Sequence, residues 1–288
     1  MKRIHKTGLI LLIVAVFALP ACTELGPAID FTDTSALIDT SYVVSSLPAQ
    51  DHKVLLFEEF TGVHCVNCPI GHQQTVTLLA NHPDSVVAVA IHNSNPQADP
   101  FDGEPDFRTP EGIQISDNLG GTMAIPSASI DRFDFNADNQ IAEYTPFWET
   151  RTRTRLAITP PLNIGLITTF NAANRQLKVR ATITYTQNVM ETNHLSLMMI
   201  ESNIISPQKL PDNSVDTFYV HNHVLRGMMT PVNGVLLNAS KDAGRVFVKE
   251  FLFTLPADWD ETQCDVVGFV HQIGTNAEVL QAAEVPVL

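Results

Sequence analysis

The chain has 288 residues and carries 31 Asp and Glu against 17 Lys and Arg, a formal net charge of −14. An acidic surface of this size repels phosphate backbones, so nucleic acid is set aside as a partner. No glycine-rich phosphate loop and no Gly-x-Ser-x-Gly elbow is present, which removes two large enzyme classes from consideration.

At the N-terminus, Lys2, Arg3 and Lys6 precede an apolar stretch from Gly8 to Leu19 that is too short to span a bilayer. Leu19-Pro20-Ala21-Cys22 then resembles a bacterial lipobox. The expectation is a signal peptide over residues 1–21, cleavage before Cys22, and a lipid on Cys22 that holds the protein at a membrane. An ordinary secretory signal cut near a cysteine is the alternative. Cleavage would remove three basic residues and no acidic one, leaving the remainder more acidic still. Residues 22–50, rich in Thr, Ser, Asp and Pro, read as a tether, with Ser41-Tyr42-Val43-Val44 as a short edge strand.

From residue 51 to 159 the pattern is α/β. Val54-Leu55-Leu56-Phe57 and the run at 86–91 are continuous apolar segments, as expected of strands covered on both faces. Between them a helix is predicted over 69–80, since Pro69 is tolerated in a first turn and Asn81 and Pro83 end the segment. Residues 93–109 form a long turn-rich insertion of the kind that borders sites. Thr109-Pro110-Glu111 caps a short helix closing at Gly120-Gly121, and Met123-Ala124-Ile125-Pro126 leads into a strand at 127–130. Thr145-Pro146 starts a helix whose Trp148, Thr152 and Leu156 make one stripe, with Arg151 and Arg155 on another face.

Pro160-Pro161 breaks the chain and the period changes. Leu177, Val179, Ala181, Ile183 and Tyr185 alternate with polar residues, the mark of a half-buried antiparallel strand. Similar strands are predicted at 162–170, 195–205, 218–225, 246–255, 266–273 and 279–287, which suggests an all-β immunoglobulin-like sandwich over residues 160–288. That sandwich is a candidate spacer, clamp or homodimer contact.

The chemistry-bearing motif is Cys65-Val66-Asn67-Cys68-Pro69, where two cysteines open the first helix. Unpaired amides and the helix dipole stabilise a thiolate there, so Cys65 is placed to attack and Cys68 to resolve, with protein thiols and disulfides of the envelope as substrates. His64, directly before Cys65, would lower that thiol's pKa further when protonated. The competing account is a permanent structural disulfide. Zinc would need a second ligand pair beyond His72, and haem attachment would need His where Pro69 stands, so no cofactor or metal is expected. His221 and His223 are weak metal candidates, more simply read as hydrogen-bonded histidines. Cys264, in an apolar run, is expected to be a buried inert thiol, and the Met198-Met199 and Met228-Met229 pairs core fillers. Phe101, Phe107 and Met123 are candidates for lining a groove near the cysteines.

The strand from Val54 to Phe60, the Cys-x-x-Cys helix start and Ile125-Pro126 together resemble the thioredoxin-like superfamily. That resemblance implies an α/β thioredoxin-like domain ahead of the sandwich, a cis bond at Pro126 packed against the cysteine pair, and Glu59 as a buried proton relay. A narrower resemblance rests on Glu58-Glu59-Phe60-Thr61-Gly62-Val63-His64-Cys65-Val66-Asn67-Cys68-Pro69 and on Tyr219-Val220-His221-Asn222-His223-Val224-Leu225-Arg226. Both segments are similar to the outer-membrane-protein-28-related lipoproteins of Gram-negative envelopes. Members are described mainly as outer-membrane or surface proteins, with adhesion among the roles attributed to them. The resemblance implies an outer-membrane location and carries no assigned reaction. Two functions therefore stand side by side: thiol–disulfide exchange at Cys65 and Cys68, or a non-catalytic surface binding module with a structural disulfide.

Overall fold

The computed structural model describes residues 37–121, 124–274 and 277–288. The signal peptide, Cys22, most of the tether and Met123 lie outside the described residues. Among the described residues, no helix is long and apolar enough to cross a membrane.

The first half runs β1 (Asp39–Val43), β2 (Leu55–Thr61), α1 (Cys68–Asn81), β3 (Val86–His92), α2 (Pro110–Asn118), β4 (Ser127–Ile130), β5 (Ala142–Tyr144) and α3 (Trp148–Leu156). β2 and β3 are buried at every position and pair in parallel, Leu55 to Val86 through Thr61 to His92. α1 begins one residue before the predicted start, with Pro69 in its first turn. Thr109 caps α2 as expected, its side chain accepting from Gly112 N at 2.9 Å. The second half begins with β6 (Leu162–Asn171), β7 (Gln176–Tyr185), β8 (His194–Glu201), β9 (Ile204–Ile205), β10 (Gln208–Lys209) and β11 (Val215–Asp216). It continues with β12 (Val220–His221), β13 (Val224–Met228), β14 (Val235–Leu236), β15 (Arg245–Thr254), β16 (Cys264–His271) and β17 (Val279–Pro286).

The expected α/β thioredoxin-like domain followed by an all-β immunoglobulin-like sandwich is not what the chain forms. The described residues are mostly β with three α-helices, and strands from both sides of Pro160 share one nine-stranded sheet. Its order is β17-β16-β8-β13-β3-β2-β4-β5, with β14 attached to β8. The join is β13 against β3: Val224 pairs in parallel with Ala90, and Ala90 N donates to His223 O at 2.7 Å. The sequence pattern predicts one strand over 218–225. In fact His223 adopts φ 55, the chain turns there, and β12 pairs with β9 while β13 inserts beside β3.

The second sheet is four-stranded, in order β1-β15-β7-β6, and β1 is the predicted edge strand. It packs Leu177, Val179, Ala181, Ile183 and Tyr185 against Leu195, Leu197, Met199, Val266 and Val270 of the large sheet. The opposite face of the large sheet gathers Leu56, Phe60, Val87, Val89, Met198, Val267 and Phe269 around Ile115 and Leu119 near α2. A third core joins Leu55, Phe57 and Val86 to Leu78 of α1 and Trp148 of α3. One sheet thus serves three cores, so neither half can bury its apolar faces alone.

A seam of buried charge ties Lys53, Asp131 and Arg155 to Glu278 of the second half. Lys53 Nζ lies 2.9 Å from Asp131 Oδ2, Arg155 Nε donates to that oxygen at 3.1 Å, and Arg155 Nη2 reaches Glu278 at 2.6 Å. Arg155, on a face apart from the Trp148 stripe, is only 2% exposed. Beside it, Arg132 pairs with Glu58 at 2.6 Å and its guanidinium lies over the Phe269 ring. Burial pushes the Lys53 ammonium below its usual range, and Asp131 opposes that shift.

Candidate ligand-binding site

The cysteines stand where β2 hands the chain to α1. They are joined as a disulfide, and Cys65 is 1% and Cys68 0% exposed. The elbow is sealed by chain from the second half. Gln208 Nε2 donates to the carbonyls of Gly62 and Cys65 at 3.3 and 3.2 Å, and Lys209 N donates to Val63 O at 2.8 Å. Val63 packs with Phe107 and Val224, and His64 lies against Phe101 at 4.0 Å between ring centroids. Gly62 has no room for a side chain, because a Cβ there would meet Gln97 O at 2.5 Å. The Ile125–Pro126 bond is cis, and Cys65 Sγ lies 3.6 Å from Ile125 O. Cys264 is a buried free thiol pushed up to about 12, by burial first and by Glu201 second.

On the other flank of α1 is a cavity of about 300 Å³, walled by α1, by Ala88, Val89, Ala90 and His92 of β3, and by residues 219–224. Register explains its polar floor. Glu59 and Thr61 point from one face of β2, and their partners Ala90 and His92 point the same way from β3. α1 lays His72 and Thr75 over that face. Thr75 Oγ1 donates to Glu59 Oε2 at 2.7 Å. His72 is held at both ends, with Nε2 2.8 Å from Thr61 Oγ1 and Nδ1 2.6 Å from Tyr219 Oη. His221 Nε2 donates to Ser206 O at 3.1 Å, and the His221 and Tyr219 rings are 4.9 Å apart.

Two groups at this cavity are left unmet. Glu59 Oε1 is buried without a hydrogen-bond partner, and so are both ring nitrogens of His92. A neutral imidazole carries one N–H and one lone pair, so burying both unpaired is expensive. Burial raises the Glu59 carboxyl to about 8, against the pull of Thr75. Burial, with His221 second, lowers His72 to about 3, and burial lowers His221 to about 4. His92 falls well below its ordinary value through burial and then through His221 and His72, and burial also lowers His223. Tyr219 is raised to about 12 by burial, then by Glu59. The cavity therefore presents neutral imidazoles and a carboxyl that titrates near neutrality.

His221 and His223 both line the cavity, His221 at the end of β12 and His223 at the turn that follows, rather than along one strand. Among the described residues, no set of three or more His, Cys, Asp or Glu is arranged to hold a metal ion. Sequence reasoning singled out Glu59 but missed His92 and Tyr219. The available signal was Glu59 and Thr61 at even spacing in β2 and His92 at the end of the apolar run of β3.

Gly71 is the close contact that brings α1 down on this floor. A Cβ there would fall 2.8 Å from Glu59 Oε1 and 2.8 Å from Pro126 Cβ. Gly71→Ala is expected to destabilise the protein by about 1–3 kcal/mol through overpacking, despite alanine's better helix propensity. Chemical denaturation measures it, and an unchanged or raised midpoint would contradict the close packing.

The solved structures similar to this chain include HBP35 of Porphyromonas gingivalis, 19% identical with a TM-score of 0.67, covering 82% of this chain and 76% of that one. A crystal structure of an Agrobacterium tumefaciens protein is 12% identical with a TM-score of 0.52, covering 83% of this chain and 97% of that one. At such identities the likeness concerns the fold alone. No curated protein matches the sequence. The family model for outer membrane protein Omp28 matches residues 114–287. That match spans more than half of the chain, and the protein belongs to the Omp28 outer membrane protein family, which places it at the outer membrane of the cell envelope.

Proposed function

We propose that this envelope protein is a non-catalytic binding module, in which Cys65–Cys68 is a structural clamp and the cavity behind α1 receives the ligand. Attachment through a lipid on Cys22 is part of the same reading. One observation carries it: the disulfide is almost wholly buried, 1% and 0% exposed at its two residues, at an elbow covered by Gln208 and Lys209. Exchange requires a thiolate to approach a sulfur in line, and such a bridge offers no approach without opening that cover. The clamp instead fixes the start of α1, the helix that forms one wall of the cavity.

The test is a reduction series on the folded, full-length protein. In glutathione buffers at an envelope-like poise the bridge is expected to persist, and strong dithiol should cut it at least about a hundredfold more slowly than in the unfolded chain. A Cys68→Ala variant should accumulate no mixed disulfides on envelope proteins. Trapped partners at Cys65, or native-state reduction as fast as in denaturant, would instead establish thiol exchange.

A further inference from the structure

We infer that the cavity behind α1 binds a primary ammonium ion carried on a short alkyl chain, with the nitrogen seated between Glu59 Oε1 and His92. This deepens the binding-module reading and rests on it. The first argument is hydrogen-bond accounting. Glu59 Oε1, 3.8 Å from His72 Nε2, and the His92 ring are buried without hydrogen bonds and line one cavity. An ammonium supplies three donors and no acceptor, which suits a carboxylate oxygen and an imidazole lone pair together. The charge-assisted bond to Glu59 is the stronger of the two.

Charge gives the second argument. The lining contains one carboxyl and no Lys or Arg. Its imidazoles are held neutral by burial, so they place no competing positive charge beside a bound cation. An anion would find nothing to pair with, and the chain's net charge of −14 repels it before it arrives. The rings of Tyr219 and His72, 5.7 Å apart, add aromatic faces that favour a cation over a neutral guest.

Shape gives the third. Pro69, Val76, Val89 and Val224 wall the cavity with hydrocarbon, enough to hold a stem of a few methylenes at about 0.8 kcal/mol for each one buried. A metal ion fits less well, since both nitrogens of His72 are already engaged, by Thr61 and Tyr219.

Binding has a proton signature. The groups facing Glu59 are His72 and Thr75 from α1, and His92, Tyr219 and His221 stand around the same cavity. His72 and His221 are already neutral at pH 6, and burial lowers His92 and His223 as well, so Glu59 is the group that gives up a proton when the cation arrives. Affinity should therefore rise about tenfold per pH unit between roughly pH 6 and 8 and level off above, while the amine stays charged.

The experiment is isothermal titration of the full-length protein with n-butylammonium chloride, 1-butanol and sodium butyrate, in buffers of differing ionisation enthalpy. The expected result is that n-butylammonium binds with release of close to one proton at about pH 6.5, with butanol at least about tenfold weaker and insensitive to pH, and butyrate silent. Glu59→Gln, with its fold checked by circular dichroism, should bring the amine down to the level of butanol. Equal binding of amine and alcohol, absence of proton release, or no amine binding at about 10 mM would each overturn the inference and mark the cavity as water-filled only. These outcomes are separate from the reduction series: an inert bridge with no amine recognition removes the ligand class alone, whereas trapped partners at Cys65 remove the binding-module reading itself.

Discussion

Asp131→Asn should lower the stability of the protein by about 3–5 kcal/mol, the loss expected when one partner of a buried ion network is neutralised. Asp131 is fully buried and takes Lys53 and Arg155 on the same oxygen, Oδ2, while Oδ1 accepts from Leu56 N at 3.0 Å. Asparagine is the right probe. It keeps the side-chain shape and tolerates the left-handed backbone, φ 53, that alanine would strain. What it removes is the charge, leaving two buried cations with only Glu278 near. Urea unfolding reads the change. The double variant Asp131→Asn with Lys53→Met should be less destabilised than the sum of the single variants, because the second substitution removes a cation the first left unpaired. Arg153→Gln, which breaks the exposed pair with Glu149, is the control and should shift stability by no more than about 0.5 kcal/mol. Additivity in the double variant, or a loss no larger than the control's, would show that Asp131 does not hold the buried cations together.

That seam also shows where sequence reading stops. The elements with local causes were legible: proline in the first turn of α1, the Thr109 cap on α2, and the strict alternation of β7 all act within a few residues. The join of β13 to β3 has no local cause. It links Val224 to Ala90 across more than a hundred residues, and it depends on a turn at His223 that breaks an otherwise strand-like run. Arg155 is similar. Its helix spacing sets it on a face apart from the apolar stripe, and Asp131 and Glu278 reach it from other elements. The cysteine motif was plain in sequence, but its cover was not, since Gln208 and Lys209 come from the far half of the chain. At the cavity, Glu59 was visible as a carboxylate in an apolar strand. His92 and Tyr219 acquire meaning only once β2, β3 and the 219–224 segment share one wall.

Glu59→Gln should stabilise the unliganded protein, and by an amount that grows with pH. In the unfolded chain Glu59 titrates near its ordinary 4.5, and in the folded protein burial holds it near 8. Between those values the folded state binds the extra proton, so stability falls as pH rises from about 4.5 to about 8 and is flat beyond. Integrated over that window the penalty is about 3–5 kcal/mol, and glutamine, which never ionises, escapes it. Little difference between variant and wild type is expected near pH 4.5, and nearly the full difference near pH 8, measured as urea midpoints at each pH. A constant difference across the range would mean that Glu59 is hydrated in the folded state, and then it could not hold its proton for release to a cation. The sign matters for function as well as for stability. A folded state that carries this penalty at neutral pH recovers part of it when an ammonium neutralises the carboxylate, so the same buried oxygen that weakens the empty protein strengthens its hold on a charged guest.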